Sequence, residues 1–209
     1  MHKIALALIL STLALLLLGC GGPSVEGETV VPVEEPAGSD EFPTRDGNTP
    51  LTVGEKGTVI LGNVQGADLQ VQRADGQLLY ELPIKPNTVI DPDTAFTIQV
   101  IEPELPEDMA ETYVPIGSTA LELHAAQESG YGFALKPLLT IHYTQEELAA
   151  AQAQGANLEP LKGNLVVLFK EQRSPRWSLQ TSVTVNADAQ TIVVSNIAGT
   201  GAWRLVAKK

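Results

Sequence analysis

The chain is poor in several things at once. It has one cysteine, Cys20, in 209 residues. No intramolecular disulfide can form, which excludes the small disulfide-stapled scaffolds and leaves stability to an apolar core. Basic residues are scarce, with 13 Lys and Arg against 25 Asp and Glu and a formal net charge of -12. Without a basic patch there is no means to displace counterions from phosphates, so nucleic acid is not expected as a partner. Aromatic residues make up only 5 %, so the core must be built mainly from aliphatic side chains. Long apolar runs are absent after Leu18, so the mature chain is expected not to span a bilayer. No Gly-x-Ser-x-Gly elbow, phosphate-binding glycine loop or zinc-protease helix occurs, and no cofactor and no enzyme activity is expected. A Ser-His-Asp triad is defined by geometry rather than spacing, and only that dispersed kind of site stays open.

What is present begins at the N-terminus. Lys3 precedes Ile4 to Leu18, a run broken only by Ser11 and Thr12. At about 15 residues it is shorter than the roughly 20 needed to cross a bilayer and matches the apolar region of a secretory signal. Leu17-Leu18-Gly19-Cys20 closes it. This stretch resembles the lipobox of bacterial lipoprotein signal peptides, which has a branched apolar residue three before the cysteine and a small residue just before it. The resemblance implies a signal peptide over 1–19, cleavage between Gly19 and Cys20, and a diacylglyceryl group on the Cys20 sulfur. The implied location is the cell membrane, lipid-anchored and facing outward. An ordinary signal cleaved nearby is the alternative, and would leave a free thiol at a frayed end.

Residues 20–50 change character. Gly, Pro, Glu, Ser and Thr dominate, and apolar residues follow no period of 2 or 3.6. Such a segment cannot bury enough surface to offset its conformational entropy, so a disordered linker is expected. At that length its end-to-end distance is about 30 Å. Seven carboxylates, from Glu26 to Asp46, face the single Arg45 and hold about half of the net charge. Repulsion from anionic head groups would act within about 8 Å. The acidity also has a plainer role in keeping the segment soluble.

From Leu51 to Lys209 the pattern is one of short strands. Phe96 to Val100, Leu121 to His124 and Leu139 to Tyr143 alternate apolar with polar, the signature of strands buried on one face. Leu165 to Phe169 and Thr191 to Val194 are continuous apolar runs, as expected of strands covered on both faces. Further strands are expected near Thr58 to Leu61, Leu69 to Arg73, Leu78 to Leu82 and Trp203 to Val206. Asp75-Gly76 predicts a hairpin turn. One helix is predicted, capped by Thr144 with Glu147 three residues later and ending near Gly155. The expected fold is an all-β antiparallel sandwich with one short helical insertion.

The order of residues in this domain supports a second likeness. Leu82-Pro83-Ile84-Lys85-Pro86-Asn87-Thr88-Val89 leads to Ile98-Gln99-Val100. Tyr131-Gly132-Phe133 precedes Lys136 to Ile141, and Arg176-Trp177-Ser178-Leu179 precedes Gly201-Ala202-Trp203-Arg204-Leu205. Together these resemble a ZU-five-type sandwich, the domain of ankyrins, netrin receptors and tight-junction scaffolds. The resemblance implies a β-sandwich used for protein contact, with a final strand closing the sheet. Self-cleaving members carry His-Phe-Ser near the last hairpin. This chain has Val193-Val194-Ser195-Asn196 there, so no self-cleavage is implied.

Three groups of residues are candidates for binding. Glu102, Glu104, Glu107, Asp108 and Glu111 form the most charged stretch of the domain. They read as a solvated loop, with a weak cation such as Ca²⁺ or a basic partner as alternatives. Trp177 and Trp203 read as core residues, with a sugar-stacking platform as the alternative. His124 and His142 occupy polar positions of strands and read as exposed, and no metal site is expected from them. The function these readings support is a lipid-anchored, non-catalytic interaction module for an unknown envelope protein. A carbohydrate- or wall-binding module is the alternative.

Overall fold

Alternation in the sequence becomes alternation in burial. Leu139 and Ile141 are buried while Thr140 and His142 are half-buried, and Leu82 and Ile84 repeat the pattern. The structure is a computed structural model and describes residues 41–42, 50–53, 56–61, 67–89, 94–127 and 130–209. All of these belong to one unit, Gly38–Lys209. The proposed signal peptide, Gly19, Cys20 and most of the 20–50 linker lie outside the described residues.

In chain order the elements are β1 (Glu41–Phe42), β2 (Pro50–Val53), β3 (Lys56–Leu61), β4 (Ala67–Gln72), β5 (Leu78–Ile84) and β6 (Thr94–Ile101). Helix α1 (Glu107–Thr112), β7 (Tyr113–Pro115), β8 (Ala120–Ala125), β9 (Leu139–His142) and helix α2 (Gln145–Ala153) follow. The chain then forms β10 (Leu165–Glu171), β11 (Ser178–Gln180), β12 (Val183–Asn186), β13 (Thr191–Val194) and β14 (Gly201–Lys208). Two sheets result. The first has eight strands in the order β1-β3-β6-β8-β14-β10-β11, with β7 also paired to β14. The second has six, in the order β12-β13-β9-β5-β4-β2. No helix among the described residues is long and apolar enough to cross a membrane.

The all-β class and the sandwich-like arrangement agree with expectation, and four details differ. Two edge pairings, β1 with β3 and β2 with β4, are parallel rather than antiparallel. Glu41–Phe42 lies within the segment expected to be linker, yet it pairs with Thr58 and Val59. A second helix, α1, occupies the acidic stretch. The final strand does not close the sheet but runs through its middle, between β8 with β7 on one side and β10 on the other.

Local chemistry explains the turns and the predicted helix. Gly76 takes φ +84°, a left-handed conformation that glycine adopts without steric cost. Its N–H donates to the Arg73 carbonyl at 2.9 Å, and the Gln77 N–H donates to Asp75 Oδ1 at 3.0 Å, closing the β4–β5 hairpin. Helix α2 starts at the predicted cap. The Glu147 N–H donates to Thr144 Oγ1 at 3.1 Å, and the Thr144 N–H donates to Glu147 Oε2 at 2.8 Å, so the capping box is complete. Gly155 follows the last turn at φ +96°, the usual left-handed stop.

The main core lies between the sheets. Phe96, Ile98, Leu121, Leu123, Trp203 and Leu205 come from the first sheet, and Leu69, Leu82, Leu139, Ile141 and Ile192 from the second. Each such side chain contributes roughly 1.5–3 kcal/mol through removal from water. Trp203 stacks on Phe169 with ring centroids 5.1 Å apart, and Phe96 meets the edge of Tyr131 at 5.4 Å.

A smaller core covers part of the outer face of the first sheet. Ala120, Leu168, Trp177, Ala202 and Val206 are buried there, with Leu105, Met109 and Tyr113 packed against them. Met109 lies in α1, while Leu105 just before it and Tyr113 just after it flank the helix, so the segment is held against the sheet at its middle and at both ends. The chain after β6 is therefore a cover laid over the sheet. It explains why β14 is buried at every position from Gly201 to Ala207.

Candidate functional site

The covering segment has two faces of opposite chemistry. Its apolar residues face the sheet, while Glu102, Glu104, Glu107, Asp108 and Glu111 are all exposed. Expectation placed these five in a loop. Half of the stretch is instead helical, because the sheet offers an apolar surface for Leu105 and Met109 to bury. Acidic Glu107 and Asp108 occupy the first turn of α1, where the helix dipole favours negative charge.

Between this cover and the end of β14 runs a groove of about 510 Å³. Glu102, Glu104, Leu105, Tyr113, Arg204 and Lys209 line it. Of the five acidic candidates only Glu102 and Glu104 reach the groove. Glu107, Asp108 and Glu111 do not. No three His, Cys, Asp or Glu side chains converge as metal ligands among the described residues.

Arg204 is a candidate that the sequence pattern does not single out. It sits within the run Trp203 to Val206, in the same strand phase as Ala202 and Val206, and only 5 % of it is exposed. Nη2 donates to the Ser118 carbonyl at 3.4 Å, the outer limit of a hydrogen bond. Nε and Nη1 are buried and have no acceptor. Burial lowers the pKa of this guanidinium, and nearby Tyr80 and Glu102 act in the opposite direction. Ser118 also donates its hydroxyl to Glu102 Oε1 at 3.2 Å, so one residue touches both the cation and the carboxylate. Lys209 donates its ammonium to the Ala110 carbonyl and its N–H to that of Thr112. It is tied to the cover.

The other candidates are accounted for in the structure. Trp203 is 1 % and Trp177 7 % exposed, so neither offers a face for stacking on sugars. The Lys170 ammonium lies 5.5 Å from the Trp177 ring centroid. His124 is exposed, with Nε2 3.2 Å from Gln172 Nε2. His142 differs from expectation: it is half-buried, and its Nε2 lies 2.7 Å from Glu81 Oε2. Neighbouring strands β5 and β9 bring the pair together, a pairing that no short-range pattern reveals.

A second, smaller cavity of about 260 Å³ lies near Tyr131, Phe169, Gln172 and Thr200. Gln172 organises its wall. Oε1 accepts from the Ala125 N–H and from the Thr200 hydroxyl, both at 2.8 Å. Nε2 donates to the carbonyls of Ala125 and Gln127 at 2.9 and 3.0 Å. The backbone partners fix which end of the amide is which. The amide thus ties the end of β8 and the chain just after it to Thr200, which marks it as structural.

No family model matches the chain, and no curated protein is significantly similar to it in sequence.

Proposed function

We propose that this chain is a lipid-anchored envelope protein that displays a β-sandwich of ZU-five type as a non-catalytic interaction module. The observation that carries the reading is Leu17-Leu18-Gly19-Cys20 at the end of an apolar run. A diacylglyceryl group on Cys20 would hold the chain through its buried CH₂ groups, each contributing about 0.8 kcal/mol, and two or three chains give a stable anchor. The acidic segment 20–50 would then carry the domain 51–209 away from the bilayer. A tether of that kind raises the effective concentration of the domain toward partners in the same envelope. The exposed carboxylates of the covering segment support a docking role for that face. The glycan-binding alternative draws no support from Trp177 and Trp203, which are buried.

Mass spectrometry of the N-terminal peptide, with and without globomycin, tests the anchor. The mature protein should begin at a diacylated Cys20, and a Cys20→Ser variant should leave the membrane fraction. A mature chain with an unmodified Cys20 thiol in the soluble fraction would refute the reading.

A further inference from the structure

We propose that the groove between the covering segment and β14 binds a zwitterion, an amino acid or short peptide whose carboxylate meets Arg204 and whose ammonium meets Glu102 and Glu104. Arg204 supplies the first half. It is a buried cation with two donor nitrogens lacking any acceptor. Arginine is not deprotonated in proteins, and its planar fork matches the geometry of a carboxylate. Buried polar groups are otherwise almost always paired, and a cation that lines a groove with two buried donors unpaired points to an acceptor that the guanidinium reaches by turning toward the groove. The single bond it makes, 3.4 Å to the Ser118 carbonyl, is weak enough that an incoming oxyanion displaces little when the guanidinium turns toward it.

The charges around the groove choose the class of ligand. Two cations, Arg204 and Lys209, and two carboxylates, Glu102 and Glu104, line the same space. A dianion such as phosphate would face both carboxylates. A simple cation would face Arg204. Only a molecule bearing both charges satisfies the two ends together. Ser118 fixes their relative position, since its carbonyl touches Arg204 and its hydroxyl touches Glu102. Leu105 and Tyr113 give the groove an apolar flank, and about 510 Å³ falls within the size range of small-molecule sites. The inference goes beyond the anchoring proposal and is independent of it, because binding to purified protein does not require a membrane.

Isothermal titration of the full-length protein tests it, with four probes: alanylalanine, N-acetylalanine, alanine amide and inorganic phosphate. Alanylalanine should bind saturably, and blocking either charge should weaken binding by about tenfold or more, the loss of one charge-assisted contact. Arg204→Met should abolish binding. A Glu102→Gln/Glu104→Gln double variant, altered only at exposed positions, should weaken alanylalanine by about tenfold while leaving N-acetylalanine unchanged or tighter. The proposal is overturned if alanylalanine shows no saturable binding at millimolar concentration, or if N-acetylalanine or phosphate binds as tightly. An unchanged affinity in the double variant overturns it as well, and that result stands even if Arg204→Met fails to fold.

Discussion

Arg73 and Glu147 form a two-pronged ion pair between the β4–β5 hairpin and the first turn of α2. Arg73 Nη1 donates to Glu147 Oε1 at 2.6 Å and Nη2 to Oε2 at 3.0 Å. The same Oε2 accepts the Thr144 N–H of the capping box, and Nη2 also donates to the His142 carbonyl at 3.1 Å. One carboxylate therefore starts the helix and pins it to the second sheet. Both side chains are about one-fifth exposed, at 21 %, so the pair is better shielded than a surface salt bridge.

This double use separates the two contributions. Thr144→Ala removes the cap alone and should cost about 1 kcal/mol of unfolding free energy. Glu147→Gln weakens both the cap and the ion pair, and should cost more. In a double-mutant cycle with Arg73→Met, a coupling of about 1 kcal/mol is expected by urea unfolding. Coupling indistinguishable from zero would mean that the helix is held by its cap and its buried Leu148 and Ala151, with the ion pair idle.

Gln172 permits a near-isosteric test. Replacing its amide by a carboxylate keeps the acceptor facing the Ala125 N–H and the Thr200 hydroxyl. It turns the donor into an acceptor opposite the carbonyls of Ala125 and Gln127. Gln172→Glu should therefore destabilise by about 1–2 kcal/mol at neutral pH, since the part-buried Ala125 carbonyl and the exposed Gln127 carbonyl lose their donor and gain a repulsive neighbour. Lowering the pH to protonate the new carboxyl should restore part of the loss. A Gln172→Glu protein as stable as the parent at pH 7 would show that these contacts are not made in solution.

The parts of this fold legible in the sequence are those set by neighbours along the chain. Thr144 and Glu147 are three residues apart, and Asp75-Gly76 is a dipeptide, so α2 and the hairpin follow from local geometry alone. The strands β6, β8, β9 and β13 follow from alternation or apolar continuity. The three-residue strands β7 and β11 carry no such pattern and exist because β14 and β10 are already there to pair with. At the candidate site the charge of Glu102 to Glu111 is plain, but it hides the apolar Leu105, Met109 and Tyr113, whose packing on the first sheet makes the segment a cover. Arg204 lies inside an apolar run whose strand assignment is correct. The groove around it depends on Ser118, 86 residues earlier, and no short-range pattern carries that.

Alkaline pH should expose a further consequence of burial. Tyr80, on β5, is 2 % exposed, with its hydroxyl 3.1 Å from Thr119 Oγ1. Desolvation disfavours the phenolate and pushes the pKa from 10.0 to about 12, although the Thr119 contact and the Arg73 charge oppose the shift. Burial likewise raises the pKa of Tyr143, whose hydroxyl is buried without a partner. The native state therefore keeps protons that the unfolded chain gives up. The contribution is fully present below the unfolded pKa near 10 and is lost as pH rises through the folded value. For Tyr80 the loss is on the order of 2 kcal/mol. Urea unfolding at about pH 9 and about pH 11.5 should show the parent protein losing stability across the interval, and Tyr80→Phe losing distinctly less. The substitution also gives up the Thr119 hydrogen bond, so the variant should start about 1 kcal/mol lower at the milder pH. Equal slopes for the two proteins would mean that the Tyr80 hydroxyl is solvated in the folded state, and that this end of the core is open to water.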